Sequence, residues 1–293
     1  MTQTWFITGT SSGLGRELTE QLLARGDQVA ATLRRPEVLG DLKAQYGDRL
    51  WLGQLDVTDT VAVQRVMADA FAAFGRIDVV VSNAAYALFG AGEELGDAQI
   101  DQQIATNLTG SIQVIRAALP HLRAQGGGRI LQVSSEGGQI AYPNFSLYHA
   151  TKWGIEGFVE SVAQEVAPFN IAFTLVEPGP ARTGFGAALV NADTMTVYDD
   201  TPAGTVRRGI ADGSFMVRGD AVKMVRAMLA CTQQTPAPRR LVLGAGAYAQ
   251  IRTALLTRLA ELDGQAEIAI SADMDPDPGE ALRRLPIAGA ASS

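Results

Sequence analysis

The chain has 293 residues, 47% of them hydrophobic, enough to bury a large core in one α/β domain. Charged residues are 19%, the formal net charge is −7 and the pI is about 4.9; Lys and Arg form no long run, which argues against a nucleic-acid partner. The single cysteine, Cys231, excludes an internal disulfide framework, and no apolar run approaches the roughly 18 residues of a membrane span. A soluble, cytoplasmic protein with no signal peptide and no membrane partner is expected.

Residues 5–8 read as a short apolar strand, followed by Gly9-Thr10-Ser11-Ser12-Gly13-Leu14-Gly15 and a helix over 16–25. A second strand covers 28–33, a helix 38–46, and a third strand 50–55, ending at Asp56. Thr58-Asp59 caps a helix whose apolar positions Val63, Val66, Met67, Ala70 and Phe74 recur at helical spacing. Val79-Val80-Val81 is a buried strand ending at Ser82-Asn83-Ala84-Ala85. A long helix over 97–122 follows, then a strand over 129–133, a helix over 146–166 and a strand over 171–176.

Strands that alternate with helices, most of them continuous apolar runs, describe a doubly wound, Rossmann-like parallel sheet covered on both faces. Its ligand site should lie beyond the carboxyl ends of the strands, and Gly9, Asp56, Asn83, Ser135 and Pro178 each sit just after a strand. From 183 to 200 the pattern breaks; helices resume over 202–211 and 220–232, a last strand covers 240–243 and a last helix 248–262. The expected organisation is one domain over 1–263, with a substrate lid over about 183–215 and a mobile tail over 264–293.

Gly9-x-x-x-Gly13-x-Gly15 suits a phosphate, because glycine permits positive φ and lets N–H groups approach a ligand at a helix N-terminus. The spacing differs from the general G-x-G-x-x-G fingerprint. The same run matches the G-x-S-x-G elbow of hydrolases, but Ser11 would then follow the first strand, with no earlier strand-to-helix loop to supply an oxyanion donor. The histidines available to it are His121 and His149. Tyr148 and Lys152, four apart, share a helix face, so a phenol and an ammonium can point into one cleft. An ordinary tyrosine has a pKa of about 10, and a fixed cation beside it favours the phenolate.

These residues resemble the short-chain dehydrogenase/reductase family in its single-domain subtype. The matches are Thr8-Gly9-x-x-x-Gly13-x-Gly15, Asp56-Val57, Asn83-Ala84, Asn107, Ser135, Tyr148-x-x-x-Lys152 and Pro178-Gly179-x-x-x-Thr183, in family order. The resemblance implies an oxidoreductase that interconverts a ketone and a secondary alcohol. It makes Tyr148 the general acid/base, has Lys152 lower the pKa of Tyr148 and bind the nicotinamide ribose, and has Ser135 hold the carbonyl. Asn107 would position water for a proton relay from Lys152, Thr183 would contact the nicotinamide carboxamide, and Asp56 the adenine. Ser11, Ser12 and Leu14 complete the cofactor loop, with Val57, Ala84, Pro178 and Gly179 further along the cofactor. Ser135, rather than Ser134, is chosen by its interval to Tyr148. Ala85 stands where the family usually has Gly, so its methyl is expected to crowd the backbone near the adenosine. No metal is implied, and family members are commonly homodimers or homotetramers. A catalytically silent, cofactor-sensing protein on the same fold is the alternative. Taken singly, Asn107 can be a plain helix residue, Asp56 a helix cap and Pro178-Gly179 a turn.

In NAD enzymes an acid about 20 residues past the glycine loop binds the ribose. Here that position is Leu33, followed by Arg34-Arg35. Guanidinium forks would welcome a 2′-phosphate that a carboxylate would repel, so NADP is expected over NAD. Phe185, Leu189, Val190, Met195, Val197 and Tyr198 would fold over the substrate, with Tyr86 to Phe89, Tyr142 and Phe145 as further walls. Apart from Glu136 and Asp199-Asp200 this set carries few charges, which suggests an apolar or aromatic carbonyl or alcohol. The aromatics can equally be loop anchors. Glu136 either biases the charge of the substrate or faces solvent.

Overall fold

The computed structural model describes residues 2–184, 186–214 and 217–273. Phe185 of the expected lid and residues 274–293 of the expected tail lie outside the described residues. In chain order the first elements are β1 (Thr4–Thr8), α1 (Gly13–Arg25), β2 (Gln28–Leu33), α2 (Gly40–Tyr46) and β3 (Leu50–Gln54). The next are α3 (Thr60–Phe74), β4 (Val79–Ser82), β5 (Leu88–Phe89), α4 (Asp97–Ile104) and α5 (Ser111–Ala124). Then come β6 (Gly128–Val133), α6 (Ser146–Val166), β7 (Ile171–Pro178), β8 (Val190–Asn191) and α7 (Pro202–Ala211). The last are α8 (Ala221–Cys231), β9 (Arg240–Leu243), α9 (Ala245–Asp263) and α10 (Ala266–Ser271).

Seven strands form one parallel sheet in the order β3-β2-β1-β4-β6-β7-β9. Strand alternation divides its side chains between two cores. Phe6, Ala30, Val80, Ile130 and Phe173 pack against α3, α5 and α6; Trp5, Ile7, Val29, Ala31, Val79, Val81 and Leu131 pack against α1, α2 and α8. Burial on both faces explains the near-continuous apolar strands. The chain winds outward from β1 to β3 and then returns to β4, so the sheet opens a crevice at the carboxyl ends of β1 and β4.

The helix expected over 97–122 is two α-helices joined by a π turn over residues 105–110. Gly110 explains the local fit: a Cβ there would lie 2.9 Å from Val57 Cγ2 and 3.0 Å from the Val57 carbonyl oxygen. The helix can therefore bulge onto the loop after β3, and Asn107 sits within that bulge.

The segment expected as a lid carries more order than its sequence shows. Strand β8 pairs in parallel with β5 in a separate two-stranded sheet, Leu88 opposite Val190 and Phe89 opposite Asn191. Glu94, whose side chain is fully buried, then staples the following residues. Its Oε1 accepts the Met195 N–H at 2.7 Å, its Oε2 accepts the Ala91 N–H at 2.8 Å, and Arg207 of α7 reaches it at 2.7 Å. Asn144, in the left-handed region at φ 68°, donates from Nδ2 to the Ala203 carbonyl at 2.7 Å. Val190, Met195 and Val197, expected to fold over a substrate, are exposed in this segment.

The chain divides into two units, residues 1–252 and 253–293. The first holds the parallel sheet and the small sheet. In the second, helix continues to Asp263 and α10 follows, so the part of the expected tail over 266–271 is helical. Among the described residues, no helix is long and apolar enough to cross a membrane.

Burial works against the charge of Glu94, but the Met195 and Ala91 N–H groups and Arg207 hold its carboxyl below the usual range. A carboxylate depressed in the folded state contributes its stability above the unfolded pKa, about 4.3, and loses it as pH falls through the folded value. Replacing Glu94 by Gln should cost about 3 kcal/mol near neutral pH. Denaturant titrations of both proteins should show a gap that is steady from pH 7 to about 5 and narrows progressively below about pH 4. A gap at about pH 3 as wide as that at pH 7 would mean the ion pair is not its source.

Candidate active site

The glycine loop is held in shape by its neighbours. Gly9 has φ 72°, and a Cβ there would lie 2.8 Å from Ala84 Cα; one on Gly15 would collide with the Gly9 carbonyl oxygen and the Asn83 amide. Asn83 closes the loop, donating from Nδ2 to the Thr8 carbonyl at 2.9 Å and the Gly9 carbonyl at 3.1 Å. Thr8 answers across β1 and β4, its Oγ1 accepting the Asn83 N–H at 2.9 Å and the Ala84 N–H at 3.1 Å. The visible work of Asn83 and Ala84 is thus to fix the backbone around Gly9.

Gly13, at φ 60°, opens α1, and Thr183 from the loop after β7 lies 3.8 Å from the position of a Gly13 Cβ. Ser11 and Ser12 are exposed, Leu14 is half-buried in the core, and no acidic residue occupies the first turn of α1. Ser12, the N-cap residue, makes no side-chain capping bond. An uncapped helix start without acid is a fit for a phosphate group.

Arg34 and Arg35 are exposed just past β2. Gln54 Nε2 donates to the Arg34 carbonyl at 3.2 Å. Burial works against ionisation of Asp56, yet the Thr58 N–H and hydroxyl, at 3.0 and 2.7 Å, and the Arg34 charge hold its carboxyl below the usual range. Asp56 closes this turn, while the cap of α3 is Asp59, which accepts from the Ala62 N–H at 3.0 Å. Val57 is buried beneath the π turn. At the far side, Pro178 ends β7 and the Gly179 N–H donates to the Leu243 carbonyl of β9 at 2.9 Å.

Ser135 follows β6, and its hydroxyl hydrogen-bonds Tyr148 on α6. Lys152 Nζ lies 5.6 Å from the Tyr148 ring centroid and donates to the Val133 carbonyl at 2.9 Å. All three residues are buried. Burial pushes the phenol up to about 12, with the Ser135 hydrogen bond opposing and the Glu136 carboxyl adding to the rise. Burial also pulls the ammonium down to about 8, against the pull of the Glu156 carboxylate. The phenol therefore moves opposite to the expected direction, because desolvation outweighs the nearby cation.

Asn107 meets Thr151 and the loop after β4. Its Nδ2 donates to the Tyr86 carbonyl at 2.8 Å and to Thr151 Oγ1 at 3.3 Å, and its Oδ1 accepts the Tyr86 N–H at 3.1 Å. The side chain expected to orient water is thus occupied by protein groups.

Glu136, read in one alternative as facing solvent, is only 1% exposed. Its Oε1 accepts the Tyr142 hydroxyl at 3.1 Å, and burial raises its pKa. Tyr142, Phe145, Phe89 and His149 pack ring to ring around it and Tyr148, so these aromatics anchor one another. His149 Nε2 accepts the Tyr142 N–H at 3.2 Å, which leaves Nδ1 as donor to the Gly137 carbonyl at 3.0 Å. With His149 engaged there and His121 stacked on Phe71 at 4.5 Å, the hydrolase reading of Ser11 loses both bases.

Spacing in the sequence did not reveal the polar group behind Tyr148 and Lys152. Ser134 donates to Glu156 at 2.6 Å, and Arg240 pairs with Glu156, Glu160 and Glu177. Glu156 carried a usable signal, standing four residues beyond Lys152 on the same helix face. Arg240, distant in sequence, carried none.

A profile of the family described as short chain dehydrogenase matches residues 3–193. The chain is 38% identical over 245 residues to Oxidoreductase BOA17 of Botryotinia fuckeliana (strain B05.10), covering 83% of this chain and 89% of that protein. The crystal structure of a short-chain dehydrogenase from Streptomyces avermitilis superposes with a TM-score of 0.87 at 36% identity, covering 94% of this chain and 100% of that one. The structure of ElxO with NADP bound matches at a TM-score of 0.70 and 24% identity, over 85% of this chain and 100% of that one, a likeness of fold. The family match over residues 3–193, together with the 36% identical structure covering 94% of this chain, places the chain in the short-chain dehydrogenase/reductase family and makes it an oxidoreductase.

Proposed function

We propose that the protein is an NADP(H)-dependent oxidoreductase interconverting a ketone and a secondary alcohol, with Tyr148 as general acid/base. The observation that carries this reading is the hydrogen-bonded Ser135–Tyr148 pair with Lys152 Nζ 5.6 Å from the phenol ring, at the carboxyl edge of the sheet. A carbonyl oxygen placed between the two hydroxyls would accept from both, so donors stand where negative charge develops on reduction. A phenol with its pKa near 12 is protonated at neutral pH, the form reduction requires. NADPH supplies the hydride when bound.

The cofactor residues fit that group. The exposed start of α1, with Gly13, Leu14 and Gly15 behind Ser11 and Ser12, would hold the pyrophosphate, and Arg34 with Arg35 the 2′-phosphate. Asp56 and Val57 would meet the adenine. Gly9, Asn83 and Ala84 shape the wall behind it, and Pro178, Gly179 and Thr183 would border the nicotinamide. Lys152 would bind the ribose. Because the Asn107 side chain is engaged, its part in a proton relay would fall to its main-chain carbonyl within the π turn. The aromatic cluster of Phe89, Tyr142 and Phe145 beside Tyr148 supports an apolar or aromatic substrate, and the assembly we expect is a homodimer or homotetramer. A silent cofactor sensor would not need Ser135, Tyr148 and Lys152 together.

Tyr148→Phe should lower ketone reduction by roughly a hundredfold or more while NADPH binding, read by fluorescence, stays within a few-fold; full turnover by this variant would sink the mechanism. Reduction should decline as pH rises through about 8, because the Lys152 ammonium is lost there while the phenol keeps its proton. Arg34→Ala should raise the KM for NADPH by roughly tenfold and leave that for NADH nearly unchanged. Equal initial rates of the unaltered enzyme with NADH and NADPH would overturn the cofactor preference.

A further inference from the structure

The end of β6 is gripped twice by α6. Lys152 donates to the Val133 carbonyl, and Glu156, one helical turn later, accepts from the hydroxyl of the next residue, Ser134, at 2.6 Å. Lys152 is 2% and Glu156 4% exposed, so the two opposite charges lie out of water one helical turn apart on one helix face. The second oxygen of Glu156 meets Arg240 of β9, which also binds Glu177 of β7 and the exposed Glu160. Glu177 is completed by Gln139 Nε2 at 2.6 Å. Gly138 makes room for this group, since a Cβ there would collide with Glu156 Oε1 and lie 2.7 Å from Ser134 Oγ.

An ammonium removed from water loses its charge readily unless an anion faces it. Across the neighbouring elements, the charged and titratable groups nearby are Tyr148 and Glu156 on α6, Glu136 after β6, Glu177 on β7 and Arg240 on β9. Glu156 supports the Lys152 charge, Glu136 acts on Tyr148, and Glu177 answers to Arg240. The Arg240 cation draws on the same carboxylate that supports Lys152. Its removal should therefore strengthen the hold of Glu156 on Lys152, whereas removal of the Glu156 charge should weaken it.

We propose that Glu156 and Arg240 are positioning residues that together set the charge on Lys152, tying the last strand of the sheet to the catalytic pair. This rests on Lys152 acting in the reaction as proposed above, and it deepens that reading by naming what governs the lysine.

The chain has three lysines, Lys43, Lys152 and Lys223, the first and last exposed. NMR of the full-length protein with 13Cε-labelled lysine therefore reads the Lys152 titration directly, with the two exposed lysines as internal references. Glu156→Gln keeps an acceptor for Ser134 and should move the Lys152 midpoint down by about one pH unit. Arg240→Gln should move it up, and Arg240→Lys should leave it near the unaltered value. If Glu156→Gln fails to fold, Glu156→Met is the second uncharged variant; if Arg240→Gln fails, the comparison of Glu156→Gln with Arg240→Lys still decides. An unmoved midpoint in the uncharged Glu156 variant, or midpoints that fall alike in both uncharged variants, would overturn the proposal. The readout needs no turnover: shifted midpoints alongside an active Tyr148→Phe enzyme would leave this proposal standing and remove the assigned reaction.

Discussion

Burying an ammonium group beside a phenol at the edge of a parallel sheet constrains much of what surrounds it. Lys152 keeps its place because the last carbonyl of β6, at Val133, accepts its proton and Glu156 faces its charge. That arrangement requires α6 to lie close along the strand end, which Gly138 permits by having no side chain. It also requires Ser134 and Ser135 to diverge, one toward Glu156 and the other toward Tyr148. The two adjacent serines are therefore divided, Ser134 engaged with Glu156 and Ser135 with the phenol of Tyr148.

The opposite wall is built on a different economy of contacts. Asn107 binds both backbone groups of Tyr86, and the π turn around it fits against Val57, so the loop after β4 is fixed relative to α6 through Thr151. From that loop, β5 recruits β8, and the buried Glu94 gathers Met195 and Arg207. A segment without sequence periodicity is thus held by one small sheet and one buried ion pair rather than by an apolar stripe. The aromatic cluster beside Tyr148 is likewise self-supporting, with His149 fastening its backbone as a neutral ring.

The fold was largely legible in the sequence, because hydrophobic periodicity and burial share one cause. The strands over 28–33 and 240–243 match β2 and β9, and the helix over 146–166 matches α6. The long helix over 97–122 was read without its π turn, since the turn depends on Gly110 meeting Val57, residues far apart in the chain. The strands β5 and β8 are two residues each and carry no pattern of their own. Local spacing brought Tyr148, Lys152 and Ser135 together correctly, but it could not weigh desolvation. The phenol rises to about 12 rather than falling, and Glu136, whose position next to Ser135 allowed a solvent-facing reading, is enclosed.

By itself the sequence determined the doubly wound sheet, the glycine turn between β1 and α1, and the register of the phenol and the ammonium on one helix face. Each of these follows from short-range spacing: period two, period 3.6, and glycine where a positive φ is required. Only the tertiary structure decided which acid answers Lys152, that Arg240 from the last strand shares it, and that the Asn107 and Glu94 side chains hold loops in place. Those outcomes depend on which groups leave water together, and that is settled where distant segments meet at the carboxyl ends of the strands.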